Sequence, residues 1–249
     1  MGTVVMSQFD TIAITSFSKA LYDSLGKTFI RTWWQQSKIP LHCVSEDENP
    51  GITLFNNFDK VCPQFNDFKE AVLKKNYSRK KTDKVIKWGR KAHTILYFLR
   101  IRMPKYIMWI DIDVLVKSKI PNNIAEKLCG NSLLFGYEEA FKTILAMETG
   151  LVIFNTKHQL ISNLIAQYED YYYKHKVLTL SKPYDGVVLR TIIDKTGLRR
   201  HCRLHSRSFR DPYVKPLMKH IKGHRCECCN AKRCRRQNGS DKWWNGSEQ

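Results

Sequence analysis

Apolar segments of two kinds alternate along the chain. The first kind is short and β-branched, as at 11–17 and 41–45, and predicts strands. The second kind repeats apolar residues at helical spacing and first occurs after Ser18, which can cap a helix. We assign the apolar stripe of this first helix to the core: Leu21, Leu25, Phe29, Trp33 and Trp34. The order of strand, helix and strand is typical of a parallel sheet covered by helices, so we predict an α/β protein.

The same alternation continues toward residue 195. Further helices are predicted at 65–75, 84–102, 122–128, 158–174 and 182–195, and further strands at 106–110, 132–136 and 147–155. The Lys/Arg-rich segment 74–84 separates two of the helices, and we predict a loop there.

Segment 106–110 is apolar throughout and predicts a strand that is buried on both faces. It is followed by Asp111 and Asp113. Because an unpaired buried carboxylate is strongly unfavourable, we expect both acids where the strand leaves the core, neutralised by a cation. In an extended segment both side chains point the same way and can face one Mg²⁺ or Mn²⁺, whose other coordination sites accept phosphate oxygens. A solvated loop after a core strand is the alternative.

Length and hydropathy limit the class of protein. With 249 residues the chain can bury a full core as one α/β domain or as two small ones, and we expect one domain with a basic C-terminal extension. It contains no apolar run of about 18 residues, the length that a membrane-spanning helix needs. Residues 1–10 lack the basic and then apolar pattern of a secretion signal. We therefore expect a cytoplasmic protein.

The net charge of +19 is concentrated in two segments. Residues 74–91 contain nine Lys or Arg and one acid, and residues 199–249 contain fourteen Lys or Arg and four acids. Two such segments on an otherwise balanced chain indicate a polyanionic partner. Nucleic acid is favoured, and an anionic membrane surface is the alternative.

An apolar strand that ends in Asp111-x-Asp113 resembles the signature of metal-dependent GT-A glycosyltransferases. The resemblance implies a Rossmann-like GT-A domain with a mostly parallel sheet at 1–225, followed by a basic, Cys-rich tail at 226–249. It also implies a nucleotide diphosphate sugar as donor, favoured to be UDP-linked. The two aspartates would hold Mn²⁺ or Mg²⁺, and Asp111 would also contact the donor.

The same resemblance assigns further donor contacts. In nucleotide-binding sheets the ligand lies beyond the carboxyl ends of the strands, so the end of the first strand would face the uracil or ribose. The residues concerned are Thr15, Ser16 and Phe17. GT-A enzymes present a basic residue toward the nucleotide from the helix before the metal strand, and Arg90 or Lys91 would do so here. A purely exposed surface charge is the alternative for both.

Segments 147–155 and 184–186 resemble parts of the glycogenin-like group of these enzymes. In that group a small polar pair and a glycine precede an apolar strand that ends in Asn, and an acid lies at a helix start beside the reacting sugar. The resemblance assigns Asp185, and after it Glu148, as catalytic candidates, with Glu148 and Thr149 bonding sugar hydroxyls. Asp185 would take the acceptor proton in an inverting enzyme or stabilise an oxocarbenium-like charge in a retaining one. An ordinary helix cap is the alternative for Asp185.

Residues 219–225 resemble the closing His-x-x-Gly-x-Lys motif of metal-dependent GT-A enzymes, with Arg225 in place of the Lys. The family's His completes the metal shell, and its basic residue neutralises the departing diphosphate. His220 is thereby assigned to the metal, and Arg225 with Lys222 to the diphosphate. The joint occurrence of this motif and Asp111-x-Asp113 favours a glycosyltransferase.

Four cysteines lie close together in the basic tail: Cys226, Cys228, Cys229 and Cys234. They allow a zinc site, but the Cys-x-Cys-Cys spacing differs from that of standard zinc fingers, and free thiols are the alternative. The chain looks most like small viral or bacterial sugar transferases of the GT-A class, and its localised positive charge favours DNA with a hydroxylated base as the acceptor, as in phage-encoded base-modifying transferases. A polysaccharide or lipid-linked glycan is the second candidate. A non-catalytic nucleic-acid-binding protein with a zinc module is the alternative from another class.

Overall fold

A seven-stranded mixed sheet runs through the centre of the molecule. The computed structural model describes residues 9–46, 55–101, 104–141, 144–206 and 211–220. The strands are β1 Thr11–Phe17, β2 Leu41–Ser45, β3 Phe55–Asn57, β4 Tyr106–Ile110, β5 Val114–Val116, β6 Leu134–Phe141, β7 Ile144–Asn155, β8 Cys202–His205 and β9 Met218–His220. The helices are α1 Lys19–Leu21, α2 Lys27–Gln36, α3 Phe58–Val61, α4 Phe65–Leu73, α5 Arg79–Ile101, α6 Ile124–Cys129, α7 Ile161–Tyr172 and α8 Asp185–Lys195.

The strand order in the sheet is β3-β2-β1-β4-β7-β6-β8. Strands β3, β2, β1 and β4 are mutually parallel, β7 is antiparallel to both its neighbours, and β8 is parallel to β6. The carboxyl ends of β1, β2, β4, β6 and β8 therefore lie at one edge, together with the first half of β7. The predicted α/β class with a mostly parallel sheet is confirmed.

Helices cover both faces of the sheet. The face with α4, α5, α7 and α8 packs one apolar core, and α2, α6 and the β5–β9 ribbon pack the other. Strand β4 lies between the two cores, because Ile107 and Trp109 face the first while Met108 and Ile110 face the second. All four side chains are buried. The prediction of a strand buried on both faces is confirmed, and it explains why this segment lacks alternating polar residues.

Three details differ from the sequence-based expectations. Helix α5 begins at Arg79, so most of the predicted loop 74–84 is helical, as the good helix propensity of Lys and Arg permits. Trp34 is 53% exposed, because its helical neighbour Trp33 takes the core position. Strand β7 begins at Ile144 because it pairs with β6 before the predicted start. No described helix has the length and apolar character needed to cross a bilayer.

Candidate functional site

Asp111 lies at the carboxyl edge of the sheet, directly after β4. Its backbone N–H donates to Gly150 O of β7 at 2.9 Å, and Val114 N–H donates to Asp111 O at 3.2 Å. Residues 111–113 therefore form a turn that leads into β5, and the expectation of an extended Asp-x-Asp segment is wrong. Both aspartates are partly exposed. They thus lie where the chain leaves the core.

Lys91 of α5 connects two of the acids. Its ammonium donates to Asp111 Oδ1 at 2.7 Å and lies 3.1 Å from Asp185 Oδ2. It also donates to the backbone oxygen of Thr149 at 2.6 Å. The indole N–H of Trp109 donates to the same Asp111 oxygen at 2.7 Å. We call these five residues the carboxylate cluster, which joins α5, β4, β7 and α8.

The position of α5 explains why Lys91 can reach this cluster. A Cβ atom on Gly89 would lie 2.2 Å from the ring of Phe68, so the glycine allows α5 to pack closely on α4. The Lys91 side chain is only 10% exposed. Burial lowers the pKa of Lys91, but the charges of Asp111 and Asp185 outweigh it and hold the pKa above its usual value. The ammonium therefore remains charged inside the cluster.

Asp185 is the first residue of α8, and its carboxylate contacts side chains from β7 and α5. Thr149 Oγ1 donates to Asp185 Oδ2 at 2.7 Å, in addition to the contact with Lys91. The N-cap position is held by Tyr184, which makes no side-chain capping bond. A Cβ on Gly186 would lie 2.0 Å from Met147 O. The glycine thus lets the start of α8 contact the backbone of β7, which brings Asp185 to the cluster.

Three predicted nucleotide contacts, Thr15, Ser16 and Phe17, lie at the carboxyl end of β1, and a fourth, Arg90, lies on α5. Ser16 Oγ donates to Glu46 Oε1 at 3.1 Å, and Arg90 Nη1 donates to Glu46 Oε2 at 3.2 Å. The Thr15 hydroxyl is buried and has no hydrogen-bond partner among the described residues. Phe17 is fully buried and stacks on Tyr22, with ring centres 5.6 Å apart. Donor contacts of Thr15, Ser16, Phe17 and Arg90 stay predictions.

Glu148 lies on β7 opposite Tyr137 of β6. Its carboxylate accepts a hydrogen bond from Gly150 N–H at 3.3 Å, and its side chain is buried. The carboxylate therefore supports the backbone next to Asp111. Its contact with a sugar hydroxyl and its catalytic role stay predictions.

The C-terminal motif returns to the Asp111–Asp113 turn through its backbone. In the β5–β9 ribbon His220 pairs with Val114, the residue after Asp113. Lys222, Arg225 and the cysteines of the predicted zinc site, Cys226, Cys228, Cys229 and Cys234, lie outside the described residues. Within the described part of the chain, no three His, Cys, Asp or Glu side chains form a group that could hold a metal ion. The metal ligands therefore stay a prediction.

The structure also brings in residues that the sequence did not single out. Glu46 joins β2 to α5 through Arg90, and Trp109 orients Asp111. The rings of Trp88 and Tyr184 lie 4.4 Å apart, beside Lys91 and Asp185 respectively. The sequence contains a signal for one of these residues. Trp88 precedes Lys91 by three residues, so the two side chains lie on the same side of a helix.

No protein family model matches the sequence, and no curated protein has a matching sequence. Solved structures match in fold. Mouse xyloside xylosyltransferase 1 in its apo form has a TM-score of 0.52 and 12% identity, over 80% of this chain and 85% of that protein. The bifunctional glycosyltransferase WbbM has a TM-score of 0.50 and 16% identity, over 90% of this chain and 47% of that protein. This likeness shows that the chain has the fold of GT-A type glycosyltransferases.

Proposed function

We propose that the protein is a metal-dependent glycosyltransferase that moves a sugar from a UDP-linked donor to a hydroxyl group. The observation that carries this proposal is the carboxylate cluster, which sits at the carboxyl edge of a GT-A sheet, beside the Asp111–Asp113 turn. Ligands of open α/β sheets bind at this edge. The two structural neighbours described above are both named as sugar-transferring enzymes, which agrees with the proposal.

Asp111, Asp113 and His220 are the proposed ligands of Mn²⁺ or Mg²⁺. Their chemistry fits such an ion, because carboxylate oxygens are preferred ligands of hard divalent cations and an imidazole suits Mn²⁺. The backbone pairing of His220 with Val114, the residue after Asp113, supports this assignment. When bound, the ion would neutralise the diphosphate as the sugar leaves. Lys222 and Arg225 are proposed to contribute to the same neutralisation.

Asp185 is proposed to act at the reacting sugar, with Glu148 as the second catalytic candidate. The bond between the sugar C1 and the diphosphate oxygen breaks, and a bond from the acceptor oxygen to C1 forms. In an inverting reaction Asp185 takes the acceptor proton. In a retaining reaction the departing diphosphate oxygen takes this proton, and the charge of Asp185 stabilises the positive charge that develops at C1. Thr149 and Lys91 hold its carboxylate in position in either case. Thr15, Ser16, Phe17, Arg90 and Lys91 are the proposed donor contacts.

DNA with a hydroxylated base is the proposed acceptor, and a cytoplasmic location stays a prediction. The support for DNA is the concentration of cations in 74–91 and 199–249. A polysaccharide or lipid-linked glycan is the second acceptor candidate. A non-catalytic nucleic-acid-binding protein with a zinc module at the cysteines is the competing function, which the same charge distribution favours.

The test is hydrolysis of UDP-sugars by the full chain, with and without Mn²⁺. We expect turnover that EDTA abolishes and that Asp113→Asn lowers at least about 100-fold. Lys38→Gln, an exposed change just before the amino end of β2, is the matched control. Labelled UDP-glucose with hydroxymethylated DNA, unmodified DNA and a glycan extract then identifies the acceptor. DNA binding without any turnover would instead establish the non-catalytic function.

A further inference from the structure

Cationic and aromatic side chains form a continuous stripe along α5 that ends at the carboxylate cluster. Lys84, Lys87, Trp88 and Lys91 follow one another at positions i, i+3, i+4 and i+7, so they lie on one side of the helix. We call these four residues the α5 stripe. Lys84 and Lys87 are exposed, Trp88 is half-buried and Lys91 is buried. The stripe therefore leads from solvent to the cluster over roughly two helical turns, ~10 Å.

Tyr184 faces the stripe from the residue before α8. Its ring lies 4.4 Å from that of Trp88, with an angle of 57° between the two planes, and the residue is 39% exposed. The next residue, Asp185, belongs to the carboxylate cluster. Helix α5 thus supplies the ring of Trp88 and, three residues later, the ammonium of Lys91. The start of α8 supplies the ring of Tyr184 and, in the next residue, the carboxylate of Asp185. A partly exposed ring at this place can stack on a flat group of a ligand that reaches the cluster.

The exposed N-terminal part of α5 carries cations that form no ion pair with a described acidic residue. Arg79, Lys80, Lys84 and Lys87 are exposed. The ion pairs among the described residues include none of these four cations. Unpaired cations that follow one helix face suit successive phosphates of a polyanion, whereas a neutral glycan offers them no partner.

We propose that the α5 stripe and Tyr184 form the binding site for a nucleic-acid strand. Lys84 and Lys87 contact its phosphates, and an unpaired base stacks on the partly exposed ring of Tyr184, which packs against Trp88. The base must be unpaired, because the faces of bases inside a duplex are covered by their neighbours. The inference deepens the proposed function, since it places the acceptor base next to Asp185. Binding itself requires neither donor nor metal, so it can be tested separately.

The test measures binding of a short, fluorescently labelled single-stranded DNA to the full chain at several salt concentrations. Lys84→Gln/Lys87→Gln should lower the slope of log Kd against log salt by about 1.4, or about 0.7 for each phosphate contact removed. Tyr184→Ala should weaken binding about tenfold at an unchanged slope, because stacking does not release counterions. Tyr184→Phe, which keeps the ring, should bind like the wild type.

The matched control is Lys38→Gln/Lys119→Gln, which removes two exposed, unpaired lysines and the same net charge. Equal effects of the two double variants would overturn the proposal, because they would show a long-range charge effect only. The proposal would also be overturned if Tyr184→Ala bound DNA as tightly as the wild type. It would likewise be overturned if the stripe variants bound a neutral oligosaccharide more weakly but bound DNA unchanged.

The two proposals fail in different ways. If the stripe variants weaken DNA binding but the chain hydrolyses no UDP-sugar, the glycosyltransferase proposal fails and the nucleic-acid site stands. If UDP-sugar is hydrolysed but DNA binding is insensitive to all stripe variants, the nucleic-acid site fails and the glycosyltransferase proposal stands.

Discussion

Lys91 Nζ lies 2.7 Å from Asp111 Oδ1 and holds a predicted metal ligand in contact with a cation of the chain itself. The same ammonium lies 3.1 Å from Asp185, so a single positive charge serves two acids that come from different elements. Like charges this close repel each other in a poorly solvated site. Lys91 therefore both neutralises Asp111 and Asp185 and fixes the packing of α5 against β4, β7 and α8.

Replacing Lys91 with Met should destabilise the protein by about 3 kcal/mol, because it leaves the buried carboxylate of Asp185 and the partly exposed carboxylate of Asp111 without their cation. Urea unfolding in EDTA measures this without any bound metal. Adding Asp111→Asn to the Lys91→Met variant should restore part of the stability, since it removes the repulsion between the two acids. If the two changes simply add, Lys91 does not act by neutralising Asp111.

Replacing Asp185 with Asn should lower UDP-sugar hydrolysis at least about 100-fold, because the amide cannot carry the negative charge that the reaction uses. The fold should be retained, since the amide oxygen can still accept the hydrogen bond from Thr149. Steady-state turnover with Mn²⁺, together with UDP binding, separates catalysis from donor affinity. Asp194→Asn, at an exposed position of the same helix, is the control and should retain activity. Equal turnover of the two variants would show that the charge of Asp185 does not take part in catalysis.

Much of the fold was readable from the sequence because local patterns and packing agree. The β-branched run of β1 and the uninterrupted apolar run of β4 specify strands whichever tertiary partners they meet. The start of α5 differs from the prediction, because a run of Lys and Arg suggests a solvated loop although both residues also favour helix. Charge reports solvent exposure, not backbone conformation.

The sequence proposes residues for the candidate site but does not give the distances between them. Motifs placed Asp111 and Asp185 at the ends of elements, which the parallel sheet brings to one edge. The bridge by Lys91 depends on tertiary distances between elements 20 or more residues apart, and no local pattern encodes these distances. The contact of Gly186 with Met147 is of the same kind, since a glycine in sequence does not identify the backbone that it approaches.

Replacing Gly186 with Ala should destabilise the protein by about 2 kcal/mol and displace Asp185. The reason is that the new Cβ would lie 2.0 Å from Met147 O, a backbone atom that can move only together with β7. Gly136→Ala is the matched control. Its Cβ would meet Met147 Cε at 2.5 Å, but this atom ends a flexible side chain and can rotate away. Gly186→Ala should lower both the thermal unfolding temperature and the rate of UDP-sugar hydrolysis more than Gly136→Ala does. Equal losses for the two variants would show that α8 tolerates a shift from β7.

His93 should make the protein less stable in acid. Its ring is buried among Phe65, Phe68, Tyr172, Tyr173 and His175. Burial, assisted by the neighbouring His175, lowers the pKa of His93 to about 4, although its hydrogen bond to Gly89 O acts in the opposite direction. In the unfolded chain the same imidazole titrates near its usual pKa of about 6.5. The unfolded state therefore binds a proton as the pH falls below about 6.5, and the folded state does not until about pH 4.

The stabilisation from neutral His93 is thus fully present above pH 6.5 and is lost as the pH falls through about 4, which amounts to about 3 kcal/mol. Urea unfolding of the wild type and of His93→Phe from pH 7.5 to 4 measures the difference, since phenylalanine fills the aromatic site without titrating. The wild type should lose about 3 kcal/mol more than the variant over this range. His158→Gln, which removes a less buried imidazole, should follow the wild type more closely. Parallel pH profiles for the wild type and His93→Phe would mean that His93 accepts its proton in the folded state as readily as in the unfolded chain.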